Sequence, residues 1–259
     1  MGAGGAGLAS AEVSESVFLN PASLAHAPSF SSGWFYKDGF VKGENHTTDY
    51  GATFVDNSKD VFVPGAFSYI KRNRNFEGLA PADETYWQVA VGKFMHDQFS
   101  MGLTLYYLAI ETDGKKYTRL NGDLGFMWNP SPNFGWGVVI YNLRKPDLET
   151  PDYLNYKPFA AIGLNFILTE LVRVRMDIGQ QLIDNPLGRH VIKAGLETFI
   201  NRFVVLRLGG QFDRLVGTDE TTLGLSFLGP RFSLDYAINY RQSDVSKGPL
   251  HSVDLRIPF

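Results

Sequence analysis

The most constraining feature of this sequence is the alternation of apolar and polar side chains, which is clearest in its last nine residues. Successive side chains of a β-strand point to opposite faces of the sheet. One face of a strand at 251–259 would carry Val253, Leu255, Ile257 and Phe259. The other face would carry Ser252, Asp254, Arg256 and Pro258. Such a strand needs an apolar medium on one side and a polar medium on the other.

The same alternation returns along the chain in segments separated by turn residues such as Gly, Pro, Asn and Asp. Each segment has close to the ~9–11 residues that a tilted strand needs to cross a bilayer. The charged faces of several segments would be costly in a soluble core that buries both faces. The pattern predicts an all-β, transmembrane, antiparallel up-and-down β-barrel with about fourteen strands, at 32–41, 48–56, 62–71, 84–95, 98–111, 117–128, 133–144, 157–168, 171–182, 189–200, 202–214, 220–228, 231–242 and 250–259. A soluble β-sandwich or barrel is the alternative.

The links between the predicted strands provide an independent test. From the third strand onward, every second link is tight: 96–98, 129–133, 169–170, 200–201 and 229–230. The links between these are mostly longer: 71–83, 112–116, 145–156, 183–188, 215–219 and 243–249. Outer-membrane barrels have short periplasmic turns and longer external loops. The alternation therefore favours a membrane barrel, and an even strand number predicts that both termini are periplasmic.

Composition argues against several other classes of protein. No stretch approaches the roughly 18 consecutive apolar residues of a membrane-spanning helix. The formal net charge of −3 gives no reason to expect a nucleic-acid partner. The absence of cysteine removes thiolate metal sites and cysteine nucleophiles, and the five histidines are scattered without a motif. With no phosphate-binding glycine loop or metal-ligand pair, we expect no enzyme activity, no cofactor and no metal.

Residues 1–30 do not follow the alternation. They are small, glycine-rich and mildly apolar, and they lack the basic start and continuous apolar core of a signal peptide. Because export requires a signal peptide, we expect that it has already been removed. The predicted organisation is an N-terminal hatch segment at 1–30, inside or under the barrel, and a transmembrane β-barrel at 31–259.

A Gly/Ala-rich opening leads into Val17-Phe18-Leu19-Asn20-Pro21-Ala22-Ser23-Leu24-Ala25. Followed by a barrel of about fourteen strands, this N-terminal sequence resembles the long-chain fatty-acid transporter (FadL-like) superfamily of outer-membrane barrels. Asn20, Pro21 and Ala22 are similar to the signature of that superfamily's hatch, although the tripeptide would also form an ordinary capped turn. The terminal Phe259 agrees with the resemblance, because the closing strand of bacterial outer-membrane barrels ends in an aromatic residue that is part of the assembly signal.

The resemblance implies a lateral exit as well as a hatch. Transporters of this type have a kink in the third strand that opens the wall sideways, and the matching segment here contains Pro64 and Gly65. Proline cannot donate to the hydrogen-bond ladder and glycine weakens it, so this pair predicts a bulge or break. The alternative is that Pro64 simply begins the strand.

The predicted inward faces differ between the two halves of the chain. The later strands carry mixed charges, at Arg173, Arg175, Asp177, Lys193, Glu197, Arg207, Asp213, Asp235, Arg241, Asp254 and Arg256. These predict a paired charge network that keeps the lumen closed and ordered, with ligand binding as the alternative. Strands four to eight present small or apolar residues: Ala90, Gly92, Gly102, Thr104, Gly125, Met127, Gly135, Gly137, Val139, Phe159 and Ala161. A glycine-rich plug could lie against that face.

Two functions therefore stand as hypotheses. The first is passive transport of a hydrophobic, fatty-acid-like small molecule past the hatch and out beside Pro64. The second is a non-transporting accessory barrel, similar to the PorV-like members of the superfamily, that binds a protein partner in an envelope or secretion assembly. Short external links and a filled lumen favour the second function. Outer-membrane lipid is an expected partner in both cases.

Overall fold

Fourteen antiparallel strands form one closed barrel, in which each strand pairs with its sequence neighbours and the first pairs with the last. The computed structural model describes residues 3–9, 18–27, 30–40, 44–76, 78–146, 149–183, 190–215, 217–241 and 248–259. The strands are β1 (Phe30–Gly39), β2 (Glu44–Asp56), β3 (Gly65–Phe76), β4 (Ala82–His96), β5 (Phe99–Thr112), β6 (Lys115–Ser131), β7 (Phe134–Tyr141), β8 (Phe159–Thr169), β9 (Val172–Gln181), β10 (His190–Phe199), β11 (Val204–Asp213), β12 (Thr218–Leu228), β13 (Ser233–Arg241) and β14 (Leu250–Pro258). The predicted fold class and strand number are confirmed.

The alternation places apolar side chains on the outside of the barrel and polar ones in the lumen. On β14, Val253 is 39% exposed, whereas Ser252 and Asp254 are 4% and 5% exposed. Large apolar side chains are exposed on the outer faces of the other strands, among them Phe54, Trp87, Leu105, Leu208 and Leu225. An outward apolar surface of this kind matches the hydrocarbon of a bilayer.

The two rims of the barrel differ in their connections. We call the rim that carries the carboxyl terminus and the short links, such as 170–171 between β8 and β9, the turn end. We call the opposite rim the loop end. Its longest connection, residues 142–158 between β7 and β8, is named the mouth loop and is described at 142–146 and 149–158. Helix among the described residues is limited to short pieces, such as the 3₁₀ helix Pro21–His26, and none is long and apolar enough to cross a membrane.

Strand ends account for the main differences from the sequence-based boundaries. β3 begins at Gly65, three residues later than predicted, because Pro64 has no N–H and the ladder starts after it. β7 ends at Tyr141 rather than at 144, and the mouth loop takes over from there. Phe259 lies at the closure of the barrel, where its N–H donates to the Phe30 carbonyl oxygen at 2.9 Å. Its role as an assembly signal stays a prediction.

Candidate functional site

Asn20 links two parts of the N-terminal segment to the barrel wall. Its side-chain oxygen caps the 3₁₀ helix by accepting the Ala22 N–H at 3.0 Å, so the capped turn is present. Its side-chain nitrogen donates to the Leu8 carbonyl oxygen at 2.8 Å and to the Phe126 carbonyl oxygen at 3.1 Å. Asn20 is fully buried, and an amide can satisfy such a set of partners because it carries both donors and an acceptor.

Inward-facing glycines of seven strands form a furrow in which residues 3–9 and 18–27 of the N-terminal segment lie. A Cβ atom on Gly102 would lie 2.3 Å from the Pro21 carbonyl carbon, and one on Gly209 would lie 2.1 Å from the Gly4 nitrogen. We name this set the glycine furrow; its members are Gly92, Gly102, Gly125, Gly137, Gly163, Gly195 and Gly209. Any larger side chain at these positions would overlap atoms of the segment or of its immediate contacts. The division of the chain into hatch and barrel, and the movement of a hatch, stay predictions.

Asp177 on β9 holds the N-terminal segment where the furrow has no glycine. It pairs in register with Gly163 on one side and with Lys193 on the other. Its Oδ2 accepts the Gly7 N–H at 2.8 Å and the Leu8 N–H at 3.3 Å. Hydrogen bonds from backbone N–H groups to an ionised carboxylate are stronger than neutral ones. The structure thus places Asp177 as an anchor for the segment's backbone.

Glu197 is the centre of an ion-pair cluster in the second half of the barrel. Its carboxylate lies 3.1 Å from Arg175 Nη2, 3.0 Å from Arg207 Nε and 3.3 Å from Arg173 Nη1. The Glu197 side chain is 1% exposed. A buried carboxylate of this kind is tolerated because several charged donors surround it.

Asp235 extends the same cluster towards β14. Its carboxylate contacts Arg207 and lies 2.6 Å from Arg256 Nη2. Arg256 Nε lies 3.5 Å from Asp254 Oδ1. Seven of the residues predicted for the charge network therefore form one connected group, which we call the ion-pair cluster: Arg173, Arg175, Glu197, Arg207, Asp235, Asp254 and Arg256.

The remaining predicted charges lie outside this cluster. Arg241 pairs with Glu220 at 2.5 Å. Lys193 lies beside Gly5, where a Cβ on the glycine would be 3.5 Å from the lysine Nζ. Asp213 accepts the Leu215 N–H at 2.8 Å, close to the loop end.

A second polar cluster, which the sequence did not predict, lies in the first half of the barrel. Glu84 is fully buried and accepts hydrogen bonds from Tyr86 OH at 3.0 Å, Tyr156 OH at 2.7 Å and Arg74 Nη1 at 3.1 Å. Burial, followed by the charge of Glu84, raises the pKa of Tyr156 to about 12. The phenol therefore stays protonated and keeps donating. Arg72 joins this group through its Nη1, which donates to Tyr156 OH at 3.1 Å.

Arg119 holds the mouth loop against the lumen wall. Its Nη2 donates to the carbonyl oxygens of Arg144 and Lys145 at 2.8 and 2.9 Å, and its Nη1 donates to Asn155 Oδ1 at 3.1 Å. Leu154, 2% exposed, packs into an apolar cluster that includes Phe76, Tyr106, Leu108 and Ile110. The mouth loop is thus packed into the loop end of the barrel.

The N-terminal segment separates cavities on its two sides. The chamber is a cavity of about 410 Å³ on the loop side. Most of its lining is aromatic or apolar, including Phe18, Ile70, Tyr86, Tyr141, Phe159 and Leu215, and its polar lining residues are Arg72, Gln88, Asp123 and Asn142. A neighbouring cavity of about 340 Å³ shares Phe18 and Ile70 with it. The vestibule, a cavity of about 450 Å³ on the turn side, is lined by Ala9, Ser23, His26, Asn129, Asn165 and Arg173.

At Pro64 and Gly65, at the turn end, the β3–β4 ladder stops while β4 continues, and we call this place the notch. The Pro64 carbonyl oxygen accepts the Gly92 N–H at 3.0 Å, and β3 pairing with β4 begins at Gly65. β4 continues to His96 alongside β5 and has no β3 partner beyond this point. The backbone therefore matches the alternative in which Pro64 stands at the start of β3. A lateral exit there stays a prediction.

These features define a closed fourteen-stranded barrel with an N-terminal segment lying in its lumen, which is the fold of FadL-type outer-membrane channels. The CymD monoaromatic hydrocarbon channel superposes with a TM-score of 0.72 at 10% identity, over 95% of this chain and 92% of that one. A FadL homologue from Pseudomonas aeruginosa gives 0.69 at 10% identity, over 100% and 98%. The toluene transporter TodX from Pseudomonas putida gives 0.66 at 10% identity, over 99% and 95%. The fold predicted from the resemblance is confirmed.

Sequence comparisons give less information about this chain than the structural comparison does. The family model described as the TraF protein of the F plasmid transfer operon matches residues 82–179, which is less than half of the chain. No curated protein matches the sequence. The structural neighbours, at 10% identity, therefore identify the fold of this chain.

Proposed function

We propose that this protein is a passive outer-membrane channel for small hydrophobic molecules, and that the chamber is its binding site. The chamber's aromatic lining is the observation that carries the proposal. Ligand sites are typically about 300–1,000 Å³, and a 150 Å³ apolar cavity already binds benzene. A cavity of about 410 Å³ is therefore large enough for a substituted single ring. The names of two neighbours, a monoaromatic hydrocarbon channel and a toluene transporter, support this ligand size.

The route we propose runs from the loop end through the chamber and past the N-terminal segment. Asn20 and the furrow glycines hold the segment in place, so it acts as the hatch. The turn end faces the periplasm in this proposal. Partitioning of the ligand drives the movement, because the proposed route requires no nucleotide or coupled ion.

A lateral exit at Pro64 and Gly65 is the second part of the proposal. The notch beside these residues is bordered by Phe62, which is 86% exposed, and by Lys93, whose Nζ lies 4.0 Å from the centre of the Phe62 ring. Because the chain has no native cysteine, the variant F62C/K93C can be cross-linked selectively with a bifunctional maleimide. We expect the cross-link to slow uptake of toluene by cells while toluene binding by the purified protein is unchanged. Unchanged uptake would contradict lateral exit.

Binding of toluene to the purified protein in detergent tests the chamber itself. Equilibrium dialysis against protein-free micelles should show saturable binding. The variant I70W fills the chamber and should weaken binding at least tenfold. The matched variant V89W adds the same ring on the lipid-facing surface, where Val89 is 54% exposed, and should bind like the wild type. Absence of saturable binding, or equal binding by I70W, would refute the proposal.

An accessory role remains the second candidate, and one observation favours it. The TraF-type family model, named after a protein of a plasmid transfer operon, matches from β4 to β9. An accessory barrel would use its exposed loops and turns to bind a protein partner. Purification in mild detergent from native membranes decides between the candidates, because a stoichiometric protein partner together with no ligand binding would support the accessory role.

A further inference from the structure

We propose that the chamber selects small aromatic compounds that carry a hydrogen-bond donor, with phenols as the substrate class, and that Asp123 is the residue that selects them. This inference rests on the proposed function, because it names the substrate class of the same chamber. It differs from the fatty-acid-like ligand expected from the sequence, which would bring a carboxylate into this site.

The tyrosines of the chamber direct their hydroxyl groups to protein acceptors. Each phenol is already committed as a donor: Tyr86 and Tyr156 to Glu84, Tyr106 to the Asn142 side-chain oxygen and Tyr141 to the Leu19 carbonyl oxygen. The rings are thereby fixed in orientation, and they line the cavity as apolar surface. Such surface favours an aromatic ring through burial and through offset or edge-to-face packing.

Arg72 is the positively charged group among the described residues that line the chamber. Its Nε donates to Asp49 Oδ2 at 3.1 Å, and its Nη1 lies 3.7 Å from Glu84 Oε2. Two carboxylates therefore already compensate the charge of Arg72. The chamber offers little net attraction to an anionic ligand.

Asp123 is the negatively charged group among those same lining residues. It faces inward on β6, and its Oδ1 accepts the Asn142 N–H at 2.8 Å. Its other oxygen has no hydrogen-bond partner within the described part of the chain, and that oxygen is not buried. A carboxylate oxygen at the edge of an aromatic cavity accepts a charge-assisted hydrogen bond from a phenol and repels a ligand carboxylate.

Three ligands of matched shape test this inference by equilibrium dialysis with the purified protein. p-Cresol carries a donor, 4-methylanisole has a similar shape without a donor, and 4-methylbenzoate carries a negative charge. Hydrogen bonds to charged groups in proteins correspond to roughly a tenfold to hundredfold change in affinity. We expect p-cresol to bind the wild type at least tenfold more tightly than 4-methylanisole, and 4-methylbenzoate to bind most weakly.

The variant D123N removes the charge while keeping an acceptor for the Asn142 N–H. We expect it to lose most of the preference for p-cresol and to bind 4-methylanisole as the wild type does, which also shows that its chamber is intact. The matched control D83N makes the same change on the exposed outer face of β4 and should behave as the wild type. Equal binding of p-cresol and 4-methylanisole by the wild type, or an unchanged preference in D123N, would overturn the assignment of Asp123. If toluene and all three of these ligands fail to bind, the proposed function is refuted together with the assignment of Asp123.

Discussion

Replacement of Gly102 by alanine tests whether the N-terminal segment closes the lumen. A Cβ atom on Gly102 would lie 2.3 Å from the carbonyl carbon of Pro21, 2.4 Å from its oxygen and 2.5 Å from the Ala22 nitrogen. These are backbone atoms of a short helix, so no side-chain rotation relieves the overlap. Ordinary van der Waals contact begins near 3.4 Å, and the helix must therefore move by about 1 Å.

The size of the effect follows from the cost of such overpacking. Inserting a methyl group into a well-packed site typically costs about 1–3 kcal/mol. If that cost destabilises only the state in which the segment lies in the furrow, the ratio of molecules in that state to molecules with a displaced segment falls roughly 5- to 150-fold. The control is Gly210→Ala on β11, where a Cβ would have its nearest contact 3.6 Å away, at the Glu220 carbonyl oxygen. Both variants exchange a strand glycine for alanine, so a general effect on strand stability is common to them.

Two assays report on the displaced segment. Limited proteolysis in micelles should cleave the N-terminal segment of G102A faster than that of the wild type or G210A. Conductance in planar bilayers should show more frequent open events for G102A. If G102A matches the wild type in both assays while remaining a folded barrel, or if G210A opens equally, the segment does not close the lumen in the way the furrow indicates.

Three further predictions follow from the same structure. Glu197→Gln should destabilise the barrel by about 3–5 kcal/mol because it leaves buried guanidinium groups uncompensated. The control Glu111→Gln removes an exposed pair with Lys116, whose side chains are 62% and 60% exposed, and should cost less than about 1 kcal/mol. Urea unfolding followed by gel mobility measures the stability of both variants. Asp177→Asn should weaken the hydrogen bond from the Gly7 N–H by about 1 kcal/mol and so increase amide hydrogen exchange at Gly7 roughly fivefold. Unchanged exchange would contradict the role of Asp177 as an anchor. Partial desolvation in the vestibule lowers the pKa of His26, so the seated segment prefers the neutral ring. The segment should therefore become easier to cleave as the pH falls below about 6.5, the pKa of a solvated histidine. A profile that is the same in H26Q would rule out His26 as the cause.

The sequence predicted the barrel well because one physical rule governs every wall strand. A strand between lipid and lumen alternates with period two, so the pattern alone predicted that Gly102 and Arg175 face inward and Leu255 outward. Glycine at positions such as Gly102 and Gly125 was also a usable signal, because a small inward face leaves room for a plug. The furrow and its contacts follow from placing these positions side by side in register.

The polar cluster around Glu84 could not be predicted in this way. Its partner Tyr156 lies in the mouth loop, 72 residues along the chain, and loop residues follow no periodic rule. The partners of Asp177 were missed for a related reason, because backbone N–H groups of the N-terminal segment are not visible as a charge pattern. The position of Pro64 was ambiguous because proline is compatible both with a break within a strand and with its first residue.

We expect the two described parts of the N-terminal segment, residues 3–9 and 18–27, to differ in how easily they move, and this difference predicts where a ligand would pass. Residues 3–5 contact Gly195 and Gly209, and the next inward residues towards the turn end on those strands, Glu197 and Arg207, belong to the ion-pair cluster. A dense, charge-paired layer therefore lies directly on the turn side of this half. Residues 18–27 instead have the vestibule on their turn side, with Ser23 and His26 in its lining. Displacement of this half would break the Asn20 hydrogen bonds to Leu8 and Phe126, but the vestibule gives it space to move into. Displacement of the other half would disrupt buried ion pairs. A ligand that leaves the chamber should therefore pass over β4 to β7, beside the notch at Pro64, rather than through the second half of the barrel.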